Sequence, residues 1–391
     1  MSRLESELSL WLEHRVDAGE MTGGTLHVRC RDQAPVSLHA GSADYAGHWP
    51  TSERTIYRIY SMSKPVLALA TLLVLQRRGL SVDTDLCDLL PEFTEVKVWD
   101  ATGGVARPPR RRITLHHLLT HTAGFTYGWG NTGRVAEAYR NSRTDFEAGD
   151  GLLADVVMRL SRLPLMDDPG DRWHYGVSFD VLGRVLEVIE GRPLDQVIDD
   201  VVVAPLGVAD LGFVAARPAD LADLCRWHEG GLQLEDDGGL ARDFAGKTLS
   251  GGAGMLATAS AYGEFISALA APDIGASVWG ADPSVFTLLT SPRLEGDLEQ
   301  WGAVSFNETT TRGVGFGYGG SVVIASDCTA WKTSPGEYAW GGYASTAFWI
   351  DPVRDVQVVF MTQVLPSDAN PWRAQLREIV ARNLGTEEAG R

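Results

Sequence analysis

A lysine stands at the entrance of a strongly apolar segment of the chain. The stretch IYSMSKP, which contains Lys64, leads directly into VLALATLLVLQRRG. Burying an ammonium group costs free energy when no carboxylate pairs with it, and IYSMSKP contains no acid. We therefore interpret the apolar segment as a buried helix that starts near Ser61 or Met62 and runs to Gly79. We expect the lysine in its first turn to have a chemical function.

The spacing of Ser61 and Lys64 predicts what that use is. Residues three apart on a helix lie on one face, so the serine hydroxyl and the lysine amine can touch as nucleophile and base. A lysine accepts a proton only when it is neutral, and both burial and the positive end of a helix disfavour its charged form. Pro65 fits the first turn, where its missing N–H is not needed. A lone S-x-x-K string also occurs by chance, so it does not identify an enzyme by itself.

Charge and length exclude several classes of protein. The chain has 391 residues, enough for two domains or for one sizeable domain with an inserted partner. Its 51 acidic and 34 basic residues give a formal charge of −17, which should repel nucleic acid and anionic membranes. We therefore expect neither as a partner.

The chain start and the cysteines suggest a cytoplasmic protein. The first twenty residues lack the basic start and continuous apolar stretch of a secretory signal, and they are typical of an amphipathic helix. No apolar run reaches membrane-spanning length. The cysteines are far apart and fit reduced, structural thiols rather than a disulfide framework or a zinc site; they are Cys30, Cys87, Cys225 and Cys328.

Element patterns predict an α+β protein with a discontinuous domain. TLHVRC and PVSLHAG form a predicted hairpin, and helical signals dominate the middle, with Thr114 as one N-cap and Gly191 as one helix stop. GVGFGYGGSVVI, GEYAWGGYASTAFWID and DVQVVFMTQ are predicted to be three neighbouring antiparallel strands. We expect an α/β domain from residues 1–80 and 248–391, a mainly helical domain from residues 81–247, and an active site between them.

Two further motifs carry possible chemistry. Tyr175 precedes a well-formed helix in WHYGVSFDVLGRVLEVIEG and could act as a general acid or base, although alone it is more typical of an aromatic anchor. Trp340, Gly341 and Gly342 interrupt a predicted strand, which indicates either a bulge or the close approach of a ligand to the backbone.

Together these motifs give the chain a family resemblance. SMSK, LLTHTAGF, YGVSFDVLG and SPGEYAWGG followed by FWIDP resemble the serine β-lactamase and penicillin-binding-protein superfamily, in the class C-like branch that contains the family VIII carboxylesterases. The resemblance implies an antiparallel sheet flanked by helices, a mainly helical second domain, and an acylated serine at Ser61. It further implies that Lys64 and Tyr175 transfer protons.

The resemblance also assigns the third motif. Trp340, Gly341 and Gly342 would lie on the edge strand that lines the acyl pocket. The second oxyanion donor, beside the Ser61 N–H, would come from the strand just after Gly342, near Tyr343.

Two departures from the β-lactamase pattern favour ester substrates. Lactamases carry Tyr-x-Asn where this chain has Val177 in the third position, and Lys-Thr-Gly where it begins with Trp340. Both changes remove groups that hold a β-lactam, so we expect a serine hydrolase that cleaves small, fairly hydrophobic carboxylic esters. The alternatives are an acyltransferase to an alcohol or amine, an amide or β-lactam hydrolase, and a catalytically silent binding protein.

We expect no metal and no cofactor. His117 and His121 are four residues apart on a predicted helix, but no glutamate separates them as in a metalloprotease and no third ligand is evident. Packing beside the site is the better interpretation of LLTHTAG. The expected partner is a small-molecule ester, and the sequence does not determine the oligomeric state.

Overall fold

The computed structural model describes residues 2–31, 33–100, 104–145, 151–235, 248–303 and 310–384. Its helices are α1 (Arg3–Asp17), α2 (Ser63–Arg78), α3 (Leu86–Leu89), α4 (Leu115–Leu119), α5 (Arg134–Asn141), α6 (Leu153–Leu160), α7 (Ser178–Glu190), α8 (Leu194–Ile198), α9 (Ala204–Leu206), α10 (Ala259–Ala270), α11 (Pro272–Trp279), α12 (Ser284–Thr290) and α13 (Trp372–Asn383). Short 3-10 turns lie at Tyr60–Met62, Pro91–Phe93, Pro218–Asp220 and Ser326–Cys328, and a π-helical turn at Asp199–Val203.

The strands are β1 (Gly23–Cys30), β2 (Val36–Gly41), β3 (Tyr57–Arg58), β4 (Val98–Asp100), β5 (Val105–Arg107), β6 (Leu211–Gly212), β7 (Cys225–His228), β8 (Gly231–Leu234), β9 (Leu256–Ala257), β10 (Val314–Phe316), β11 (Ser321–Val323), β12 (Tyr338–Gly341), β13 (Ala347–Asp351), β14 (Val356–Met361) and β15 (Val364–Leu365). Seven of them form an antiparallel sheet in the order β10-β11-β12-β13-β14-β1-β2. The predicted hairpin of β1 and β2 and the predicted fold class, an antiparallel sheet flanked by helices, are confirmed.

Strand β14 shows how both faces of this sheet are covered. Val358 and Phe360 belong to the apolar cluster that includes side chains of α1 and α13, whereas Val359 and Met361 belong to the larger cluster that includes α2 and α10. Successive side chains of a strand point to opposite faces, so both faces of a central strand can be buried. Each fully buried side chain of this size contributes about 1.5 to 3 kcal/mol.

Helix α2 lies inside the larger cluster. Every side chain from Ser63 to Leu75 is buried, and Gly79 ends the helix in the left-handed conformation at φ 64°. A glycine adopts that conformation without the steric cost that a Cβ imposes. The predicted helix and its stop are therefore confirmed, with one refinement: the α-helix begins at Ser63, and Ser61 lies in the 3-10 turn before it.

The prediction of three strands at the end of the chain is wrong. The first two segments each fold into two strands, so the three segments supply the five strands β10 to β14. Gly319, at φ 82°, lies in the turn between β10 and β11, and Ser345, at φ 66°, lies in the turn between β12 and β13. These left-handed positions reverse the chain where the sequence pattern showed a continuous strand.

The middle of the chain is helical with small sheets. Thr114 caps α4 as predicted, but that helix already ends at Leu119, and His121 takes a left-handed conformation at φ 57°. Gly191 ends α7 as predicted. Strands β4 to β8 also lie within residues 81–247. Residues 236–247, which end at the proposed boundary, lie outside the described residues. The division into domains therefore stays a prediction.

The cysteines and the helix lengths complete the description of the fold. All four cysteines are free thiols. Within the described ranges, no helix has both the length and the apolar character needed to cross a bilayer.

Candidate active site

Ser61 is held in a fixed turn at the start of α2. The residue before it, Tyr60, is in the left-handed region at φ 42°, a conformation that costs a non-glycine residue of order 1 kcal/mol and often occurs at functional sites. The hydroxyl of Tyr262 donates to the Met62 carbonyl oxygen at 2.9 Å. The Met255 N–H donates to the Ser63 hydroxyl at 3.1 Å. The turn is therefore anchored to a distant part of the chain.

Lys64 is fully buried beside the serine. Its amine is 3.1 Å from the Ser61 Oγ, as the three-residue spacing predicted. It also donates to the Gly252 carbonyl oxygen at 2.8 Å and contacts the Tyr127 hydroxyl at 3.3 Å. Three neutral oxygen atoms thus surround the amine, a geometry that allows it to exchange a proton with the serine.

Tyr175 completes the contact around Ser61. Its hydroxyl donates to the Ser61 Oγ at 2.7 Å, and its ring face lies 4.6 Å from the Lys64 amine. The indole N–H of Trp340 reaches the Tyr175 hydroxyl at 3.4 Å. The ring is stacked on Trp173 at a centroid distance of 5.8 Å. The structure therefore brings together all three residues that the sequence proposed for proton transfer, and it adds the indole of the third motif.

Trp340 and Gly341 lie on an internal strand, so their predicted place on an edge strand is wrong. β12 pairs with β11 on one side and β13 on the other. The pairing with β11 nevertheless stops at Ala339, opposite Ser321, whereas the pairing with β13 continues through Gly341. Because β11 is short, the end of β12 lies beyond the ladder with β11 and can face the serine.

Both glycines of the third motif lie in close contacts, Gly341 with a side chain and Gly342 with backbone as well. A Cβ on Gly341 would lie 2.5 Å from the guanidinium carbon of Arg373. A Cβ on Gly342 would lie 2.5 Å from the Ile59 carbonyl oxygen, in the segment that leads into Ser61. Real Cβ atoms do not approach other atoms so closely, so the motif marks close backbone approach rather than a bulge.

The backbone after Gly342 contains the second proposed oxyanion donor. The Gly342 N–H already donates to the Thr346 carbonyl oxygen at 2.8 Å, which closes the turn between β12 and β13. The next amide, that of Tyr343, is the one that the family resemblance assigns. We keep Tyr343 N–H, together with Ser61 N–H, as the proposed donor pair.

Aromatic side chains enclose the serine. Ring contacts run from Tyr60 to Tyr343, with centroids 6.0 Å apart, and from Tyr343 to Trp129 at 5.4 Å. Trp129 stacks on Tyr127 at 5.1 Å, and Tyr127 contacts Tyr175 at 5.5 Å. Such a wall is apolar and suits the acyl or alkyl group of an uncharged ester.

Two buried titratable groups next to the site favour their neutral forms. Burial, with a smaller contribution from Lys64, holds the pKa of His121 well below its usual value. Its ring packs 4.8 Å from that of Tyr175. Burial also raises the pKa of Asp180, whose carboxylate accepts from the Ser250 hydroxyl at 2.5 Å. We infer a site of low polarity behind the serine.

His117 and His121 have different surroundings. The Nδ1 of His117 accepts from the Thr114 N–H at 3.0 Å as part of the cap of α4. His121 is enclosed by aromatic rings, including those of Phe179 at 5.2 Å and Trp173 at 5.9 Å. The LLTHTAG segment thus packs beside the site, as interpreted from the sequence.

Sequence reasoning missed three contributors to the site. Tyr127 and the Gly252 carbonyl contact Lys64 across 63 and 188 residues of the chain, and Trp129 adds to the aromatic wall. Tyr127 follows the HTAGF motif closely and could have been proposed from that position. A backbone carbonyl such as that of Gly252 carries no sequence signal.

Comparisons with known proteins agree with this geometry. The sequence model of the Beta-lactamase family matches residues 8–381. Esterase EstB of Burkholderia gladioli is 30% identical over 360 residues, which cover 87% of this chain and 86% of that protein. Monacolin J acid methylbutanoyltransferase of Aspergillus terreus is 25% identical and covers 81% of this chain and 79% of its own.

Solved structures have the same fold. The hydrolase EstCE1, described as having promiscuous acyltransferase activity, superposes with a TM-score of 0.82 at 25% identity, over 96% of this chain and 98% of its own. Simvastatin synthase (LovD) from Aspergillus terreus has a TM-score of 0.82 at 22% identity, over 100% of both chains, which shows the fold alone. The chain therefore belongs to the Beta-lactamase family, within the superfamily of serine β-lactamases and penicillin-binding proteins.

Proposed function

We propose that this protein is a serine hydrolase that cleaves small carboxylic esters through an acyl-Ser61 intermediate. One observation carries the proposal: the Ser61 Oγ is 2.7 Å from the Tyr175 hydroxyl and 3.1 Å from the Lys64 amine. The aromatic wall and the tryptophan of the third motif favour a neutral substrate. The similarity to esterase EstB supports the same class.

In the proposed acylation step, the Ser61 oxygen attacks the ester carbonyl carbon. Its proton passes to the Lys64 amine, directly or through Tyr175, which contributes typically ~10²- to 10⁴-fold to the rate. The oxyanion that forms is stabilised by the Ser61 and Tyr343 N–H groups. The carbon–oxygen bond of the ester then breaks, and the same pair of residues protonates the departing alkoxide.

Deacylation repeats these roles with water. A water molecule loses a proton to the Lys64 and Tyr175 pair as its oxygen attacks the acyl carbon. The bond to Ser61 breaks, the proton returns to the Ser61 oxygen, and the carboxylic acid leaves. No redox step or added group is needed, so the chain's own residues balance the reaction.

A fluorophosphonate tests the nucleophile. Intact mass should show one adduct, and peptide mapping should place it on Ser61. Ser63 is the matched control, because it is two residues away but buried and bonded to the Met255 N–H. Ser61→Ala should abolish hydrolysis of p-nitrophenyl butyrate. An adduct on Ser63, or an active Ser61→Ala protein, contradicts the assignment.

Acyl transfer is the second candidate function. Two similar proteins favour it, the methylbutanoyltransferase and EstCE1, whose name includes acyltransferase activity. In that reaction an alcohol or amine replaces water in the second step. Incubating the enzyme with a p-nitrophenyl ester and a primary alcohol, and measuring the new ester against the free acid, separates the two functions. A product that is mostly the new ester would establish transfer.

A further inference from the structure

We propose that Arg373, on the C-terminal helix α13, is a positioning residue for the oxyanion donor. The geometry points to a device in which this arginine holds the turn from Gly342 to Thr346, and this turn carries the Tyr343 amide, the proposed oxyanion donor. The inference rests on the proposed function, because it concerns the stabilisation of the ester's tetrahedral intermediate.

Direct hydrogen bonds connect Arg373 to both ends of the turn. One guanidinium nitrogen donates to the Gly342 carbonyl oxygen at 2.8 Å and to the Thr346 carbonyl oxygen at 3.0 Å. Arg373 is only 8% exposed, so water competes weakly for these bonds. The two carbonyls flank Tyr343, and fixing both restrains the amide between them.

The glycines of the third motif bring one backbone segment close both to Arg373 and to the chain that leads into Ser61. A Cβ at Gly341 would meet the Arg373 guanidinium, and a Cβ at Gly342 would meet the Ile59 carbonyl oxygen. The guanidinium, the turn and the chain leading into Ser61 are therefore packed in series. A shift of the turn changes the distance between the Tyr343 amide and the reacting oxygen.

Such a shift matters because an oxyanion donor works over a narrow range. Donors need to lie about 2.7 to 3.1 Å from the oxyanion, and removing one typically costs ~10² to 10³ in kcat. A donor that is displaced but not removed should lower kcat by a smaller factor. We expect Arg373→Gln to lower kcat about tenfold to a hundredfold and to change KM less than about threefold, because the donor acts mainly in the transition state.

Arg377 provides the matched control. It lies one turn further along α13 and is equally buried, but its guanidinium bonds to Glu337 at 3.0 Å. It also lies between the rings of Trp331 and Trp349. Arg377→Gln therefore removes a buried guanidinium from the same helix without releasing the turn. A loss that is merely structural should appear in both variants.

The decisive readout compares an ester with its thionoester, in which sulfur replaces the carbonyl oxygen. Sulfur is a weak hydrogen-bond acceptor, so the oxyanion donors favour the oxygen substrate. The ratio of the two kcat/KM values does not depend on the fraction of folded enzyme. Arg373→Gln should lower the kcat/KM of the ester divided by that of the thionoester about tenfold, and Arg377→Gln should leave this ratio at the wild-type value.

An unchanged ratio in folded Arg373→Gln overturns the inference, and so does an equal fall in both variants. If Arg373→Gln does not fold, Arg373→Met is measured in the same way, because methionine fills much of the same space but donates no hydrogen bond to the turn. An unchanged ratio in that variant overturns the inference as well. Wild-type turnover by Ser61→Ala would instead overturn the proposed function, whatever the Arg373 variants do.

Discussion

Lys64 and Arg377 are two buried basic side chains with very different partners. Lys64 is fully buried and Arg377 is 6% exposed. Arg377 bonds to the carboxylate of Glu337 at 3.0 Å and packs between the rings of Trp331 and Trp349, at 4.9 and 4.7 Å. The carboxylate of Glu337 and the faces of the two tryptophan rings therefore compensate the positive charge of Arg377.

Lys64 also has an aromatic ring nearby, that of Tyr175 at 4.6 Å, and it interacts electrostatically with the buried Asp180, but no carboxylate is hydrogen-bonded to it in the part of the chain that the structure describes. Among the residues that the structure describes, its bonding partners are the oxygens of Ser61, Tyr127 and Gly252, all of them neutral. Lysine can lose its proton, whereas arginine in proteins does not. The comparison teaches that a buried cation with a carboxylate partner marks the fold, and one surrounded by neutral oxygens marks the chemistry.

Lys64→Met should give the largest change in activity. It also separates a role of Lys64 as base from a role in stability. The variant keeps the shape of the side chain but removes the base, so kcat for p-nitrophenyl butyrate should fall ~10²- to 10⁴-fold. The free energy of unfolding in urea should stay within about 1 kcal/mol of wild type or rise, because a buried polar group without a hydrogen-bonded carboxylate partner is removed. Near-normal turnover would show that Lys64 is structural.

Arg377→Met should lower the stability of the protein and leave its kcat unchanged, the opposite of Lys64→Met. It leaves the Glu337 carboxylate buried without its partner, so the free energy of unfolding should fall by about 3 to 5 kcal/mol. The folded fraction should keep its kcat, because Arg377 does not touch Ser61 or the turn. A loss of kcat without a loss of stability would break the comparison.

The stability deficit of Arg377→Met should depend on pH. Burial raises the pKa of Glu337 above its ordinary value of 4.5, and removing the guanidinium raises it further. A folded-state pKa above the unfolded value means that the contribution of the group is present at low pH and lost as pH rises. The deficit should therefore be largest at pH 7 and shrink below pH 4.5, where Glu337 is neutral. A deficit that grows on acidification would contradict this assignment.

The replacement of the lactamase lysine and asparagine should make this protein prefer esters to β-lactams. Trp340 stands where lactamases carry a lysine, and Val177 stands where they carry an asparagine. Each lost hydrogen bond should cost about 1 to 3 kcal/mol of transition-state binding. We expect kcat/KM for nitrocefin to be about a hundredfold lower than for p-nitrophenyl acetate. Comparable values would show that another cation, such as Arg312 or Lys332, binds the carboxylate.

Tyr175 should act as one unit with Lys64. Tyr175→Phe alone should remove most of kcat, but adding it to Lys64→Met should lower kcat by less than about threefold more. The two groups share one proton path, so losing either breaks it. Fully multiplicative losses in the double variant would show independent roles, and high activity of Tyr175→Phe would show a simple aromatic anchor.

Chelation should have no effect. No group of the chain that we assign to the reaction is a metal ligand, so EDTA should leave ester hydrolysis unchanged after dialysis. A loss of activity that zinc restores would assign a role to His117 and His121.

Local sequence predicted a large part of the fold and of the candidate site. The helix stop at Gly79, the cap at Thr114, the Ser61 to Lys64 spacing and the position of Tyr175 before α7 all depend on residues within a few positions of each other. These features follow from backbone conformation and from contacts one turn apart, which a sequence pattern displays.

The number and position of the last strands were not predictable in the same way. Turns at Gly319 and Ser345 divide apolar segments that look continuous. The length of the ladder between β11 and β12 depends on where β11 stops, and this is set by pairing between different segments. A pattern of apolar residues does not record which neighbour a strand has.

By itself, the sequence determined the buried helix α2, the contact between Ser61 and Lys64 that the proposed nucleophile and base require, and the family. Only the tertiary structure placed the Tyr175 hydroxyl on Ser61 across 114 residues, the Gly252 carbonyl on Lys64, and Arg373 against the turn after Gly342. The physical reason is that helix periodicity and capping act between near neighbours in the chain. Contacts between distant segments arise instead from packing, a sum of many weak interactions that no single motif records.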